Sequence, residues 1–342
     1  MANLREFTEI LNKGHLRFAN QAEDAFTLIA DGKADNIQIK EFLLAINNRG
    51  IDVNLLSSAV KVLGRRMIKV RAPENSIDVC GTGGDNLNSL NISTAVSFVV
   101  AAAGVAVAKH GNKAVSSSCG SADIFSQLGI DISQSKEQTE ESLFNNNLAF
   151  IFAPLYHPAL KYVAVARKEL GVRTIFNFLG PLLNPAQTNY QLIGCCDRQI
   201  AEVMFKTTAK FHKKNCWVVF GLDGMDEISI TDNSLIYKMD YQTIYDSQLF
   251  NPQKYVSDKF TIDDLKGKNP TYNAQKLVEL LKYQINDRQM RAYHDIVVIN
   301  SAAALVIAEK EKNFDDAVRF AKEIIAGKKA FELLKKIARN IN

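Results

Sequence analysis

The chain changes texture at Ser76, and that change constrains its fold more than any other feature. Beyond it, short apolar runs alternate with amphipathic helical stretches, the pattern of a mostly parallel sheet covered by helices. Five runs read as strands: residues 77–80, 105–109, 149–153, 191–195 and 217–221. Before Ser76 the chain reads as helical. Asn36 is placed to cap a helix running through Asn47, with Gly50 beyond it. Asp52 is placed to cap the next, with Val53, Leu56, Val60 and Leu63 on one face. The expected fold is α/β: a small all-helical unit over residues 1–72, and a larger α/β unit over 73–342 with a mostly parallel central sheet. At 342 residues, two units agree with a prior of roughly 150 residues per domain. The helical unit offers packing or dimerisation and no visible chemistry.

Finer signals follow the same plan. Ser93 or Asn91 can cap an Ala-rich helix that stops at Gly104. Another helix starts near Ser121 and ends before Gly129, and Ser135 with Gln138 forms a capping-box pattern. Residues 158–170 read as one helix begun by a proline, 240–270 as loop-rich, and helical patterns return from Asn273.

Charge and cysteine content narrow the function classes. Lys plus Arg is 41 and Asp plus Glu is 37, a net +4 that argues for a small anionic substrate as well as for anything larger. No nucleic-acid partner is expected. Five cysteines without a CxxC pair read as reduced thiols, with no zinc site. The N-terminal segment has no apolar export core. The longest apolar run read from the sequence, 94–108, is shorter than the roughly 20 residues of a membrane span. A cytoplasmic protein without a membrane partner is expected.

The unusual residues fall directly after expected strands. Ligands of open α/β sheets bind outside the carboxyl ends of strands. Gly81-Thr82-Gly83-Gly84-Asp85, Lys109-His110-Gly111-Asn112, Ala153-Pro154 and Asp223-Gly224-Met225-Asp226-Glu227 should therefore gather on one edge. The glycine turn lets backbone N–H groups close on phosphate oxygens, though alone it is equally an ordinary tight turn. Residues 91–94 open a helix whose positive end suits an anion, and Ser93 offers a hydroxyl to Mg2+. Lys109, His110, Asn112, Lys113 and the serines 116–118 make a phosphate and ribose environment, or a solvated loop. Asp226 and Glu227 are adjacent carboxylates suited to Mg2+ with pyrophosphate oxygens completing its shell, or else a charged turn. Arg167 is a guanidinium fork for a carboxylate, or a solvated helix arginine. No cysteine has a base partner at motif level. His157 is placed to touch a ligand, whereas His15, His212 and His294 read as structural or exposed.

Together, DVCGTGGD (78–85), NIST (91–94), KHGN (109–112), SSSCGSAD (116–123), GVRTIFNFLGPLLNP (171–185) and GLDGMDEIS (221–229) resemble anthranilate phosphoribosyltransferase over essentially the whole chain. The resemblance implies the second step of tryptophan biosynthesis: anthranilate and 5-phosphoribosyl 1-pyrophosphate give N-(5'-phosphoribosyl)anthranilate and pyrophosphate, with Mg2+ as two ions. It implies a homodimer joined through the helical unit, which takes in a returning segment near 160–185. Carried over by position, phosphoribosyl pyrophosphate falls to Gly81, Gly84, Asp85, Ser89, Asn91, Ile92, Ser93, Thr94, Lys109, His110, Gly111, Asn112, Lys113, Ala114, Val115, Ser116, Ser117 and Ser121. Anthranilate falls to Gly81, Asn112 and, in an outer position, Arg167, in a channel lined by His110 and Pro181. Ser93, Asp226 and Glu227 are implied as metal ligands. No catalytic acid or base is implied; Lys109 and His110 would act electrostatically. Asn86 stands at a usual glycine and tolerates a left-handed turn. Ser89 replaces the usual threonine, Leu90 a common phenylalanine and Lys113 a frequent arginine, and Ser118 often corresponds to a basic residue. A pyrimidine nucleoside phosphorylase of the same broad fold is the alternative reading. It would use inorganic phosphate without pyrophosphate-bound Mg2+.

Overall fold

In the computed structural model, which describes residues 3–13, 19–113, 119–211, 213–241, 243–245 and 247–339, four helices precede the first strand. They are α1 (Leu4–Asn12), α2 (Ala19–Ala30), α3 (Asn36–Arg49) and α4 (Val53–Gly64). Asp52 caps α4 as expected, accepting from the Leu55 N–H at 2.8 Å. The cap of α3 is Asp35 rather than Asn36, with Gln38 closing a capping box. Both residue types cap well, and the Gln three positions after Asp35 decides between them.

Each expected strand forms within two residues of its predicted span. In chain order come β1 (Ile77–Gly81), α5 (Ile92–Ala102), β2 (Val107–Gly111), α6 (Ser121–Gln127), α7 (Lys136–Asn146) and β3 (Leu148–Phe152). There follow α8 (Ala153–Tyr156), α9 (Lys161–Leu170), β4 (Tyr190–Gly194), α10 (Arg198–Thr208) and β5 (Asn215–Gly221). The helix expected from Pro158 opens as a 3-10 turn, Pro158–Leu160, before α9 begins. The capping box at Ser135 forms as read. Beyond β5 the sequence pattern missed an antiparallel extension: β6 (Ser234–Asp240), β7 (Thr243–Ile244) and β8 (Gln248–Phe250). Two of these strands are too short to show a period. Helices α11 (Pro270–Leu281), α12 (Arg288–Ile307), α13 (Phe314–Ala326) and α14 (Lys329–Ile337) complete the chain.

The sheet runs β3-β2-β1-β4-β5-β6-β7, with β8 also on β6; β1 to β5 are parallel. On one face α5, α6 and α11–α14 pack against Val79, Val107, Leu192 and Val219. By length and composition α12 passes for a membrane helix, but it is almost wholly buried as the central core helix of this layer. On the other face Cys80, Ile193, Cys216 and Val218 share one core with α1–α4, α10 and the stretch from Ala159 to Leu183. The N-terminal helices are thus packed through that stretch onto the edge where the strands end.

Candidate active site

The chain leaves β1 toward β2 and β3, then returns to β4 on the other side, so strand order reverses between β1 and β4. A crevice forms outside the carboxyl ends of strands at such a reversal. A cavity of about 360 Å3 lies there. Every described member of the candidate set lines it: Gly81, Gly84, Asp85, Ser89, residues 91–94 and 109–113, Ser121, Arg167, Asp226 and Glu227. Ala153 and Pro181 line it too, whereas Pro154 does not. Ala114, Val115, Ser116 and Ser117, with Ser118, His15 and His212, lie outside the described residues.

At one end the loop after β5 meets the glycine turn after β1. Asp226 Oδ2 accepts from the Gly83 N–H at 2.8 Å, and Glu227 Oε1 accepts from the Ser93 N–H at 3.1 Å. Asn91 occupies the N-cap position of α5, but its side chain makes no cap bond there; the Glu227 carboxylate, at the positive helix end, takes that place. Gly194, ending β4, lies against the Asp226 backbone carbonyl, and any side chain at 194 would displace the acidic loop. Lys109 is buried, donating to Val79 O at 2.7 Å and Ser93 Oγ at 3.2 Å.

Charge is crowded here. Burial, then the neighbouring Asp85, pushes the Asp226 carboxyl up to about 7. Burial, then Asp226, holds Glu227 well above the usual range against the pull of Lys109. Burial raises the Asp85 carboxyl as well, with Asp226 beside it. Oxygen donors that repel one another in a buried place suit a hard cation. Among the described residues no three acidic, histidine or cysteine side chains form a ready cluster. An ion such as Mg2+, which commonly takes one or two carboxylates and completes its shell from substrate phosphates, fits this donor set.

The other end is different. His110 Nδ1 meets Gly180 O at 3.0 Å, and its Nε2 meets His157 Nε2 at 3.1 Å. Burial, then His157, brings His110 down to about 3, and burial brings His157 down to about 4. Burial thus favours the uncharged His110 ring at neutral pH, where it offers a hydrogen bond. Arg167, half-buried on α9, has no ion-pair or hydrogen-bond partner for its guanidinium among the described residues. That group sits 5.8 Å from the Phe176 ring centroid. Burial alone lowers its pKa. A half-buried cation with no protein partner among the described residues favours an anionic ligand.

Asn86 has φ of 58°, the left-handed turn its residue type tolerates. His294 bonds Asp295 at 2.9 Å, a structural role as read. All five cysteines are free. Sequence reasoning missed Arg173, Phe176 and Asn177 as lining residues, although they stand in the quoted 171–185 motif. It also missed Gly194, which carries no local signal.

Comparison with known proteins gives the family of the chain. A family model described as "Glycosyl transferase family, a/b domain" matches residues 73–331. The anthranilate phosphoribosyltransferase of Persephonella marina is 37% identical over 98% of each chain. That of Paramagnetospirillum magneticum is 40% identical over 89% of this chain and 86% of its own. The crystal structure of the Thermus thermophilus enzyme has a TM-score of 0.89 at 29% identity, covering 97% of this chain and 98% of that one. The Saccharomyces cerevisiae enzyme in complex with PRPP and Mg shares the fold, with a TM-score of 0.90 at 24% identity over 98% and 96% of the two chains. With its strand reversal, acidic loop and glycine turn, the chain belongs to the anthranilate phosphoribosyltransferase family, whose reaction moves phosphoribosyl from 5-phosphoribosyl 1-pyrophosphate to the amine of anthranilate.

Proposed function

We propose that the cavity between β1 and β4 is the seat of this reaction, with phosphoribosyl pyrophosphate at the acidic end and anthranilate toward Arg167. The observation that carries the reading is the pair of bonds from Asp226 and Glu227 to the N–H groups of Gly83 and Ser93. They bring the acidic loop against both turns that would hold phosphates. Ser93, Asp226 and Glu227 would hold Mg2+, which a yeast relative contains together with PRPP. When bound, Mg2+ neutralises a pyrophosphate leaving group.

The remaining work falls to this chain's own groups. The unpaired Arg167 guanidinium takes the anthranilate carboxylate, and Asn112 and Gly81 orient the amine. Lys109 places positive charge beside the phosphate site. The neutral His110–His157 pair and Pro181 line the channel. An aromatic amine is a weak, uncharged nucleophile, and displacement at the anomeric carbon passes through a cation-like state. Positioning and electrostatics matter more here than a strong base. The relatives above share the transferase name, which favours it over the nucleoside phosphorylase alternative.

Residues 1–72 with the returning 160–185 segment are read as the homodimer surface. Ile37 and Leu44 on α3, with Tyr162 and Val165 on α9, form an exposed apolar set in support of it. A cytoplasmic location accompanies the biosynthetic role. The test of the site follows anthranilate fluorescence and pyrophosphate release together. Signal loss that requires phosphoribosyl pyrophosphate and Mg2+ supports the reading; phosphorolysis of nucleosides without Mg2+ would replace it.

A further inference from the structure

Arg173 follows α9 and has no place in the residue roles assigned above. Its guanidinium reaches the glycine turn. Nη2 donates to Gly83 O at 2.8 Å, and Nη1 donates to Gly84 O at 3.2 Å and to Cys196 Sγ at 3.0 Å. The guanidinium also lies 4.9 Å from the Phe178 ring centroid. The Arg173 backbone carbonyl in turn accepts from Asn47 Nδ2 on α3 at 2.7 Å. A physical link therefore runs from the helical layer, through one arginine, to the turn after β1.

The peptide planes give this link a consequence. Every described peptide is trans. In a planar trans peptide the carbonyl and the N–H point opposite ways. With the carbonyls of Gly83 and Gly84 pinned to Arg173, the N–H groups of Gly84 and Asp85 face away from the guanidinium. Among the described residues neither N–H has an acceptor. Gly83 and Gly84 both sit at positive φ, 63° and 77°, so a flip of either peptide would cost little without the pin. A flipped peptide would turn a carbonyl oxygen toward a bound anion. The fit is close: a Cβ on Gly84 would lie 2.5 Å from Nη1 of Arg173.

We propose that Arg173, itself held by Asn47, is a positioning residue for the pyrophosphate-bearing substrate. It keeps two backbone N–H donors of the glycine turn aimed at the phosphate oxygens and makes α3 part of the phosphate site. A planar fork suits two adjacent carbonyls where a lysine would serve one. This inference rests on the phosphoribosyl pyrophosphate site proposed above.

The test is steady-state kinetics of the full-length protein with Mg2+. Arg173→Met raises KM for phosphoribosyl pyrophosphate about tenfold, the scale of losing two such bonds. Inhibition by added pyrophosphate weakens by the same factor, while kcat and the anthranilate KM stay within about twofold. Arg173→Lys lies between Arg173→Met and wild type. Asn47→Ala moves the same constants by less and adds nothing on the Arg173→Met background. Should Arg173→Met fail to fold, Asn47→Ala and Arg173→Lys carry the same expectations. A fall in kcat with KM unmoved, equal rises in both substrate constants, or additive effects of Asn47 and Arg173 would overturn the proposal. A wild type that does not saturate with phosphoribosyl pyrophosphate removes the site reading and this inference together. A saturating wild type with an unmoved Arg173→Met removes this inference alone.

Discussion

The two ends of the cavity are built by different rules. At the β1/β5 end, backbone N–H groups, the carboxyls of Asp85, Asp226 and Glu227 and the buried Lys109 line the cavity, and Arg173 holds the glycine turn. At the α9 end, two imidazoles that burial keeps neutral line the cavity with Arg167, whose guanidinium has no partner among the described residues. The first end crowds buried carboxyls that resist ionisation, and the other has a cation with no protein partner among the described residues. A ligand that brings a hard cation with its phosphates relieves the first, and an aromatic carboxylate relieves the second. On the proposed reading, this contrast would let a single cavity seat two unlike substrates in a fixed order along its length, without a strong acid or base between them.

The sharpest way to break this contrast is to weaken the acidic end. Asp226→Asn should lower kcat/KM by at least about 100-fold, the scale of one aimed electrostatic contact in catalysis. Steady-state rates with both substrates varied give the value, and a loss under about tenfold would mean that the acidic loop is only structural. The next effect belongs to the other end. Arg167→Ala should raise the anthranilate KM about 10–100-fold, as expected for a charge-assisted bond, and leave the phosphoribosyl pyrophosphate KM nearly unmoved. Equal rises in both constants would dissolve the division between the ends.

The smallest expected effect is on stability. Ordinary histidine titrates near 6.5, but in the fold His110 is brought down to about 3 and His157 to about 4. Between those values the unfolded chain binds more protons, so the contribution is full above about 6.5 and is lost as pH falls through about 4 and about 3. The melting-temperature advantage of wild type over His157→Asn at pH 7 should shrink by about 2–4 °C at pH 5. An advantage that is constant or wider at pH 5 would mean that the rings are not held neutral.

The five parallel strands were legible because each is an apolar run bounded by turn residues, and the site because chemistry-bearing residues followed those runs directly. Asp226 and Glu227 were legible as a pair. That Glu227 would cap α5 in place of Asn91 was not, since Glu227 lies 134 positions from Ser93 and only the fold brings it near. Arg173 escaped for the same reason: its partners Gly83 and Gly84 are 90 and 89 residues away. The neutrality of His110 depends on His157, 47 residues on, and on burial that no local pattern encodes. Within the β6–β8 extension, β7 and β8 escaped because strands of two and three residues have no period to read, whereas the seven residues of β6 were long enough to be read and were missed.

The most direct test of the acidic end is a Mg2+ titration of the initial rate, both substrates saturating, for wild type and Glu227→Gln. If Asp226 and Glu227 hold the ion that travels with pyrophosphate, the half-saturating Mg2+ concentration rises at least about tenfold in the variant, the scale of losing one such ligand contact. An unchanged Mg2+ dependence in a folded variant, or a wild-type rate that needs no Mg2+, would contradict the assignment.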